Sequence, residues 1–511
     1  MSNRTSSLIE TVENNRPRTR IHSTQIQHEL GQFLTPGRIA SFMSEMFDRL
    51  DGGKITLLDP GAGIGSLTAA FVETLSRKCA RHAEVELFAY EIDRNLIPDL
   101  TQTLKACRSV CEARGLSFDY HIMEEDFILS ASDAITRSGG LFAEKATHFT
   151  HCIMNPPYKK LASSSIHRKA LHRAGIETSN FYSAFVSLAI ELLEQGGEIA
   201  AIIPRSFCNG VYFRPFRKQL RECLSIDRIH LFGSRKEAFG DDGVLQENVI
   251  FHGIRGAQQP RITISHSVDS NFGKLTDTLV PRDQIFRQDD AIHIPVSDGD
   301  RQVVSDAMVF DQTLNDLGIE VSTGPVVDFR LREHLSHLPT GQYCPLIYSH
   351  HFADGGISWP AIRHKKPDYI SINPSTERWL FPNGCYILTR RFSSKEERRR
   401  LVSVLYVPDS HDFEWVAFEN HLNVIHRGGK GLDPHLARGL SIFLNSTLAD
   451  KYFRQFSGHT QVNANDLRNM AYPDRLTLKQ WGKATKKNPS QQDIDSLVDQ
   501  AVERLKAKNG R

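Results

Sequence analysis

The sequence predicts an α/β protein built on a doubly wound, mostly parallel sheet, followed by a second domain of α+β type. From Lys54 to about Arg255, short apolar runs alternate with longer amphipathic ones, as strands alternate with helices in such sheets. A glycine-rich turn, LDPGAGIG at 58–65, joins the first strand to the first helix, as in Rossmann-like folds. Beyond about residue 258 the alternation stops, which indicates a separate domain.

The individual elements follow from the period of the apolar residues. An amphipathic helix is expected between Gln32 and Leu50, because Thr35-Pro36 is a helix start signal and apolar residues recur after it. Strands are expected at 55–59, 85–90, 118–123, 151–154, 198–203, 226–232 and 248–252. Helices are expected at 64–79, 95–112, 181–193 and 214–223.

The C-terminal half has a different sequence pattern, with short Val/Ile/Tyr runs, turns and basic residues. A helical pair is expected at 433–456, and the charged tail is expected to form a surface helix. The chain of 511 residues is too long for one ordinary domain. We therefore expect an N-terminal extension at 1–30, a first domain at 31–257, a second at 258–478 and a tail at 479–511.

Composition excludes several classes of protein. The chain is 40% hydrophobic and 24% charged, with a net charge of +2, as in water-soluble globular proteins. No apolar run approaches the ~20 residues that a bilayer span needs, and the N-terminus lacks an apolar signal core. The eight cysteines form no CxxC pair, so neither a metal site nor a disulfide framework is expected. These features favour a cytoplasmic protein without a metal.

Acidic residues and glycines stand where the first three strands end. Asp59 is followed by Gly61 and Gly63, and glycines let a ligand approach the backbone closely. Glu91, followed by Ile92, ends the second strand and is placed to bind both hydroxyls of a ribose. The third strand leads to Asp126-Phe127, a carboxylate for an adenine amine and a ring to pack on the base. On these residues alone, a nicotinamide enzyme fits as well as other nucleotide-binding proteins.

The fourth strand ends at Asn155-Pro156-Pro157-Tyr158, a rigid corner at the ligand-binding edge of such a sheet. The Asn155 side-chain oxygen and the Pro156 carbonyl are two acceptors, which suits an NH2 group with two hydrogens. Tyr158 offers a face on which a base can stack. This arrangement would hold an aromatic amine and make its lone pair nucleophilic.

The order of these motifs resembles that of the gamma-class N6-adenine DNA methyltransferases of bacterial restriction–modification systems. GQFLTP at 31–36 is similar to their first methionine-binding motif, LDPGAGIG to their donor-binding loop and NPPY to their catalytic motif. The segment 234–251 resembles the one that closes their sheet, and 444–473 the end of their recognition domain. Length and layout are most similar to the PstI/BsuBI type.

The resemblance implies a site-specific enzyme that transfers a methyl group from S-adenosylmethionine to the N6 amine of an adenine flipped out of double-stranded DNA. Thr35 and Pro36 would hold the methionine end of the donor. The other residues implied to bind the donor are Asp59, Gly61, Gly63, Glu91, Ile92, Asp126, Phe127 and Asn155. The catalytic motif would be Asn155, Pro156, Pro157 and Tyr158, with Phe251 a candidate for the second face of the base pocket.

The resemblance also implies partners. Residues 31–257 would be the catalytic domain and 258–478 a DNA target-recognition domain, with a restriction endonuclease encoded separately if one exists. Candidates for DNA contacts are Arg363, Lys365, Lys366, Arg390, Arg391, His459 and Gln461. Methylation of cytosine N4, methylation of adenine in RNA and, more remotely, nicotinamide-dependent oxidation remain alternatives, although the last leaves NPPY and GQFLTP unexplained.

Overall fold

The computed structural model describes residues 7–13, 33–80, 82–138, 147–233, 247–256, 258–286, 291–338, 341–353, 356–361, 365–393, 397–408, 413–457, 461–485 and 489–509. They form two compact units, Met1–Val296 and Ser297–Arg511. The first unit therefore extends beyond residue 257, where the catalytic domain was expected to end.

A large sheet runs through the first unit. Its strands are β1 (Gly53–Pro60), β2 (Ala83–Tyr90), β3 (Ser117–Met123), β4 (Phe149–Met154), β5 (Leu193–Pro204), β6 (Leu224–Phe232), β7 (Asn248–Arg255), β8 (Arg261–Ser267) and β9 (Thr276–Pro281). Among the described residues, their order is β3-β2-β1-β4-β5-β7-β6-β8-β9. The first five in this order are parallel, and β7 runs antiparallel between β5 and β6. The carboxyl ends of β1 to β5 consequently lie at one edge, where parallel sheets bind ligands.

Helices cover both faces of this sheet, which agrees with the predicted doubly wound α/β class. They are α1 (8–13), α2 (Gly37–Glu45), α3 (Ser66–Lys78), α4 (Ile97–Ala113), α5 (Phe127–Ser138), α6 (Ile166–Arg173), α7 (Phe181–Leu192), α8 (Arg214–Cys223) and the short α9 (Arg282–Ile285). Alternate residues of the central strands face opposite layers: Ile153 and Ile202 pack in the layer of α2 and α3, and Met154 and Ile203 in that of α7. Nearly continuous apolar strands result, as expected for a sheet buried on both faces.

Two strands beyond residue 258 belong to the first unit, so the domain boundary differs from the one that the sequence suggested. β8 pairs parallel with β6 and β9 antiparallel with β8, so residues 261–281 extend the first sheet. At the other end, α1 buries Leu8 and Val12 in the core of this unit, so part of the extension 1–30 belongs to it. The short strand-like runs beyond 258 were expected to belong to a new domain. The strands with which they pair are distant in sequence, so no local pattern shows that they extend the first sheet. The helices α5 and α6 were also not predicted.

The second unit combines small sheets with helices. Its strands are β10 (Glu320–Thr323), β11 (Leu335–Ser336), β12 (Tyr343–Ile347), β13 (Phe352–Ala353), β14 (Gly356–Ile357), β15 (Tyr369–Ser371), β16 (Phe381–Pro382), β17 (Tyr386–Arg390), β18 (Ser403–Tyr406), β19 (Trp415–Phe418) and β20 (Leu422–His426). In the part of the unit that is described they form sheets of order β10-β20-β17-β18, β11-β15-β12-β19-β16 and β13-β14. The α+β character expected from the sequence is present.

The helices of the second unit are α10 (Asp298–Ala307), α11 (Pro434–Leu444), α12 (Thr447–Phe456), α13 (Ala464–Asn469), α14 (Arg475–Ala484) and α15 (Gln491–Asn509). The expected pair at 433–456 is present as α11 and α12. Helix α15 is part of this unit, because it buries Ile494, Val498 and Val502 and Asp495 accepts hydrogen bonds from Thr447. Within the described ranges, no helix is long and apolar enough to cross a membrane.

A buried ionic network ties the central strands to the segment after α2. His252 lies 2.7 Å from Asp227 through Nδ1 and 3.6 Å from Glu198 through Nε2. Glu198 accepts backbone hydrogen bonds from Asp48 and Arg49. Burial opposes a charge on His252, yet the hydrogen bond to Asp227 and the nearby Glu198 carboxylate outweigh it and raise its pKa to about 9. The imidazolium form therefore stabilises the sheet.

This network makes stability depend on pH on the alkaline side. Because the folded pKa of His252 lies above its unfolded value of about 6.5, its contribution is complete below pH 6.5 and is lost as pH rises through about 9. The Asn side chain of His252→Asn cannot be charged. We therefore expect the free energy of unfolding of this variant to fall by about 3 kcal/mol less than that of wild type as the pH rises through about 9. Urea unfolding of both proteins between pH 6 and 10 measures this difference. Parallel profiles across that range would contradict the assigned charge.

Candidate functional site

The predicted site residues meet at the edge of the sheet where β1 to β4 end. Asp59 pairs with Ala89 across β1 and β2, and Tyr90 pairs with Met123 across β2 and β3. The residues that follow these positions, Glu91 and Asp126, are thus brought to one row with the glycine-rich turn. Asn155 follows β4 directly on the other side of β1.

The glycine-rich turn has the backbone conformation that its glycines permit. Gly61 and Gly63 have φ angles of 80° and 59°, in the left-handed region that disfavours side chains. The N–H groups of Gly61 and Ala62 both donate to the Tyr90 carbonyl. A Cβ on Gly63 would lie 3.1 Å from Leu34 Cδ2, so the segment before α2 passes directly over the turn.

Asp59 is fully buried below this turn. Its Oδ2 accepts a hydrogen bond from Thr68 Oγ1 at 2.6 Å, and no donor among the described residues reaches Oδ1. Burial raises the pKa of Asp59 to about 7, the Thr68 hydrogen bond opposes the rise, and the Glu91 carboxylate adds to it. A cation or hydrogen-bond donor at the edge of the sheet would relieve this unfavourable environment.

Glu91 and Ile92 differ in exposure. Glu91 is buried, and its oxygens accept from the Gly63 and Asp93 N–H groups, both at 2.8 Å. Its carboxylate therefore orders the turn. Ile92 has 48% of its surface exposed, so an apolar surface lies beside the buried carboxylate.

Asp126 and Phe127 begin α5. Asp126 caps the helix by accepting from the Leu129 N–H through Oδ1, and its Oδ2 is hydrogen-bonded to His167 Nε2 at 2.8 Å. The Phe127 ring is buried and packs against Tyr90 and Phe185 at centroid distances of 5.1 and 5.0 Å. Packing of Phe127 on a ligand stays a prediction, since in this structure the ring is part of the core.

The NPPY corner is held by the segment before α2. Asn155 Nδ2 donates to the Phe33 carbonyl at 2.8 Å and to Thr35 Oγ1 at 3.1 Å. This fixes the orientation of the amide, because a carbonyl acceptor must face the NH2 group. Asn155 Oδ1, although buried, accepts no hydrogen bond from any described part of the protein. One half of the amide is anchored, and the acceptor half is left available.

Tyr158 leaves the corner towards β5. Its hydroxyl donates to the Ile202 carbonyl at 3.3 Å, and its ring contacts Phe33 and Tyr182 at 5.7 and 6.5 Å between centroids. Burial raises the pKa of Tyr158 well above its ordinary value, so the phenol stays neutral. The prolines hold this arrangement, Pro156 being buried and Pro157 partly so.

The segment 33–36, which immediately precedes α2, contacts the site. Thr35 is buried, and Pro36 is the residue before Gly37, whose N–H donates to Glu13 Oε1 at 2.6 Å. Sequence reasoning found Thr35 and Pro36 but missed Phe33, whose carbonyl carries the Asn155 contact. It also missed Glu13 and His167. Their positions depend on contacts across long stretches of chain, which no local pattern reveals.

Some candidates lie elsewhere. Phe251 is 1% exposed in the middle of β7, so its position is that of a core residue. In the second unit, Lys366 is paired with Asp328, Arg390 with Glu397 at 3.6 Å, and Lys365 is exposed. Arg391 donates to the Asn420 carbonyl, and Gln461 bridges to Phe392. Residues 31–32, 234–246, Arg363 and His459 lie outside the described residues.

Comparison with known proteins identifies the family. The model of the Eco57I restriction-modification methylase family matches residues 79–239. The type II methyltransferase M.BsuBI of Bacillus subtilis is 44% identical over 482 residues, which cover 93% of this chain and 94% of M.BsuBI. M.PstI of Providencia stuartii is 41% identical, with 94% of each chain covered. The chain belongs to the type II DNA methyltransferases of restriction–modification systems. The resemblance noted from the motifs, including the PstI/BsuBI type, is confirmed.

The fold of this type II methyltransferase is also found in solved structures. The type IIL restriction-modification enzyme MmeI, solved in complex with DNA, aligns with a TM-score of 0.53 at 12% identity over 97% of this chain and 75% of its own. At that identity the likeness concerns the fold alone. It agrees with a methyltransferase α/β sheet followed by a second unit.

The glycine turn of the methyltransferase provides a test of its packing. Gly65 has a φ of 86°, and a Cβ there would lie 2.9 Å from Thr103 Cγ2, whereas Gly115, with a φ of 71°, has nothing within 4 Å. We expect Gly115→Ala to cost about 1–2 kcal/mol for the left-handed backbone alone. Gly65→Ala should cost about 1–3 kcal/mol more, because the methyl group also overpacks the contact with α4. Denaturant unfolding of the two variants measures this, and equal losses would contradict it.

Proposed function

We propose that this type II methyltransferase transfers the methyl group of S-adenosylmethionine to the N6 amine of an adenine flipped out of double-stranded DNA. The observation that carries the proposal is the Asn155 amide. Its Nδ2 is fixed on Phe33 and Thr35, and nothing in the described ranges donates to its buried Oδ1. Because buried polar atoms are almost always hydrogen-bonded, an acceptor kept unpaired at a ligand-binding edge suits a donor on the substrate.

The methyl donor fits the tips of β1 to β3. Thr35 and Pro36 would hold its methionine end, and Asp59 with Gly61 and Gly63 its centre. Glu91 beside exposed Ile92 would take the ribose, and Asp126 with Phe127 the adenine. Three observations support the fit: the Asp59 oxygen that the described protein leaves unpartnered, the absence of side chains at the two glycines, and the apolar surface of Ile92. When bound, S-adenosylmethionine supplies an electrophilic methyl group.

The chain's own residues then orient the amine. Asn155 Oδ1 and the Pro156 carbonyl accept the two N6 hydrogens, which draws the nitrogen lone pair out of conjugation with the ring. Tyr158 stacks on the base and keeps it in plane with these acceptors. The two hydrogen bonds strengthen as positive charge develops on nitrogen, so they stabilise the transition state more than the ground state. The rigid corner aligns the amine for an in-line displacement, in which the nitrogen–carbon bond forms as the donor's sulfur–carbon bond breaks. One N6 proton would then pass to solvent.

DNA binding completes the proposal. A target amine inside a duplex can be reached only by flipping the base, which costs a few kcal/mol. The second unit, Ser297–Arg511, would hold the duplex and read its sequence, with exposed Lys365 suited to a phosphate. Lys366 and Arg390 have intramolecular carboxylate partners and would need to exchange them for DNA. A separately encoded endonuclease cutting the same site would be the partner of such an enzyme.

One experiment tests the reaction. The protein is expressed in a bacterium without DNA methylation, and the genome is sequenced by a method that distinguishes N6-methyladenine from N4-methylcytosine. We expect N6-methyladenine at one recurring sequence, and none with Asn155→Ala. N4-methylcytosine at a recurring sequence would replace the proposal by its nearest chemical alternative. An unmodified genome, together with methylated adenine in RNA, would overturn DNA as the substrate.

Asn155→Ala separates chemistry from donor binding. We expect turnover to fall by roughly 10²–10³-fold, the usual consequence of removing one charge-stabilising hydrogen-bond partner in a catalytic site. The affinity for S-adenosylmethionine, measured by calorimetry, should change only a few-fold, because the proposed donor contacts are made mainly by other strand tips. Near wild-type turnover would show that Asn155 does not have this role.

Two substitutions of Tyr158 distinguish stacking from hydrogen bonding. Tyr158→Phe keeps the ring and removes the hydroxyl that bonds to the Ile202 carbonyl, so we expect it to retain activity within about tenfold. Tyr158→Ala removes the stacking surface, worth about 1–3 kcal/mol per base, and should lose considerably more. Steady-state kinetics on a duplex that carries the methylated sequence measures both. Similar activities for the two variants would argue against stacking.

A further inference from the structure

A second asparagine at the same edge of the sheet has a side chain with no hydrogen-bond partner among the described residues. Asn248 is 2% exposed, and neither Oδ1 nor Nδ2 is hydrogen-bonded to any residue that the structure describes. Burying an amide without partners costs on the order of 1–3 kcal/mol, so such a group needs an explanation. Nothing in the sequence singled this residue out.

The strand order places Asn248 away from the donor-binding tips. Asp59, Glu91 and Asp126 lie at the ends of β1, β2 and β3, on one side of β4. Asn248 begins β7 and pairs with Pro204, the last residue of β5, on the other side of β4. If the methyl donor occupies β1 to β3 and Asn155 stands between, the accepting base must lie over β5 and β7. The Tyr158 side chain points towards β5, because its hydroxyl donates to the Ile202 carbonyl of that strand.

Asn248 and Asn155 also share a face of the sheet. Side chains alternate along a strand, and Ile153 and Ile250 both pack in the layer of α2 and α3. Asn155 stands two residues after Ile153, and Asn248 two residues before Ile250. The strands β4 and β7 are two spacings apart, about 10 Å, and the register places Asn248 two residues further along the sheet than Asn155. The two backbones are therefore about 12 Å apart, which two asparagine side chains with a purine between them can span.

The backbone at Asn248 is held firmly. The Glu247 carbonyl accepts from the Arg205 N–H at 2.7 Å, and the two side chains form a buried ion pair at 2.7 Å. Burial opposes the charge on Arg205, but Glu247 outweighs it and keeps the pKa of the guanidinium above its ordinary value. This pair fixes the start of β7 against the end of β5, so Asn248 is held at a defined position.

We propose that Asn248 binds the flipped adenine, donating from Nδ2 to a ring nitrogen while Asn155 and Pro156 hold N6. The inference rests on the proposed function, because it requires a base at this edge. The Nδ2 group of Asn248 is unsatisfied in the free protein because its acceptor is the substrate. Asn248 is thus a substrate-binding residue whose unmet hydrogen bonds destabilise the unliganded fold.

The first test is stability without DNA. Asn248→Leu keeps the approximate volume and removes the unsatisfied amide, so the melting temperature should rise by about 2–4 °C. Asn383→Leu is the control for a partly buried amide whose hydrogen bonds are made, since Asn383 donates to the Phe413 carbonyl and accepts from the Tyr406 hydroxyl. That control should melt lower than wild type. A fall for Asn248→Leu like that of the control would overturn the inference, because it would mean that the amide supports the fold.

The second test removes single ring nitrogens from the substrate. Duplexes carry 1-deazaadenine, 3-deazaadenine or 7-deazaadenine at the methylated position. For wild type, one of the three should lower kcat/KM by about tenfold. With unmodified adenine, Asn248→Leu should have a kcat/KM that is lower than that of wild type by a similar factor. Its kcat/KM should not fall further with the analogue that slows wild type. Asn248→Ala gives the same comparison should the leucine variant not fold.

The outcomes separate this inference from the reaction itself. If each analogue lowers kcat/KM equally for wild type and variant, or if no analogue lowers it for wild type, Asn248 does not contact the ring. If wild type fails to methylate unmodified adenine in the duplex, the proposed function is wrong instead. The stability result does not depend on any nucleic acid.

Discussion

The hydrogen bonds from Asn155 Nδ2 to the Phe33 carbonyl and Thr35 Oγ1 are the contacts on which the site depends. They join a corner at the end of β4 to the segment that enters α2. They also orient the amide, so that its acceptor oxygen is the atom without a described partner. Two consecutive prolines make the corner stiff, and α2 is anchored in the core through Ile39 and Met43. Neither side of the contact can move without the other.

Several unsatisfied polar atoms lie at this edge of the sheet. Asp59 Oδ1, Ser66 Oγ, Asn155 Oδ1 and both amide atoms of Asn248 are buried without a partner in the described chain. A folded protein that leaves such groups unpaired gives up stability, because each has lost its hydrogen bonds to water. The raised pKa of Asp59 has the same origin. The proposed explanation is that donor and base supply the missing partners, which relates low local stability to ligand binding.

Much of the first unit could be predicted because each element has a local cause. The apolar period marked β1, β2, β3 and β4, and the motifs between them indicated the family that the comparisons confirm. The predictions failed where pairing is remote. β8 and β9 read as the start of a new domain, yet they add to the first sheet through β6. Phe251 has an apolar ring that suits the core as well as a base pocket, and it lies in mid-strand in the core, so its role in the base pocket stays a prediction.

By itself, the sequence determined the order of the motifs, the strand tips that carry them and the family to which the enzyme belongs. These depend on residue type and spacing, which are local properties. Only the tertiary structure decided that Phe33 holds Asn155, that Glu91 orders the glycine turn and that Asn248 lies on the same face beyond β5. Those facts depend on which strands are neighbours and which atoms are left without partners. Residues that are far apart in the chain come into contact only when the sheet forms, so local patterns do not reveal these contacts.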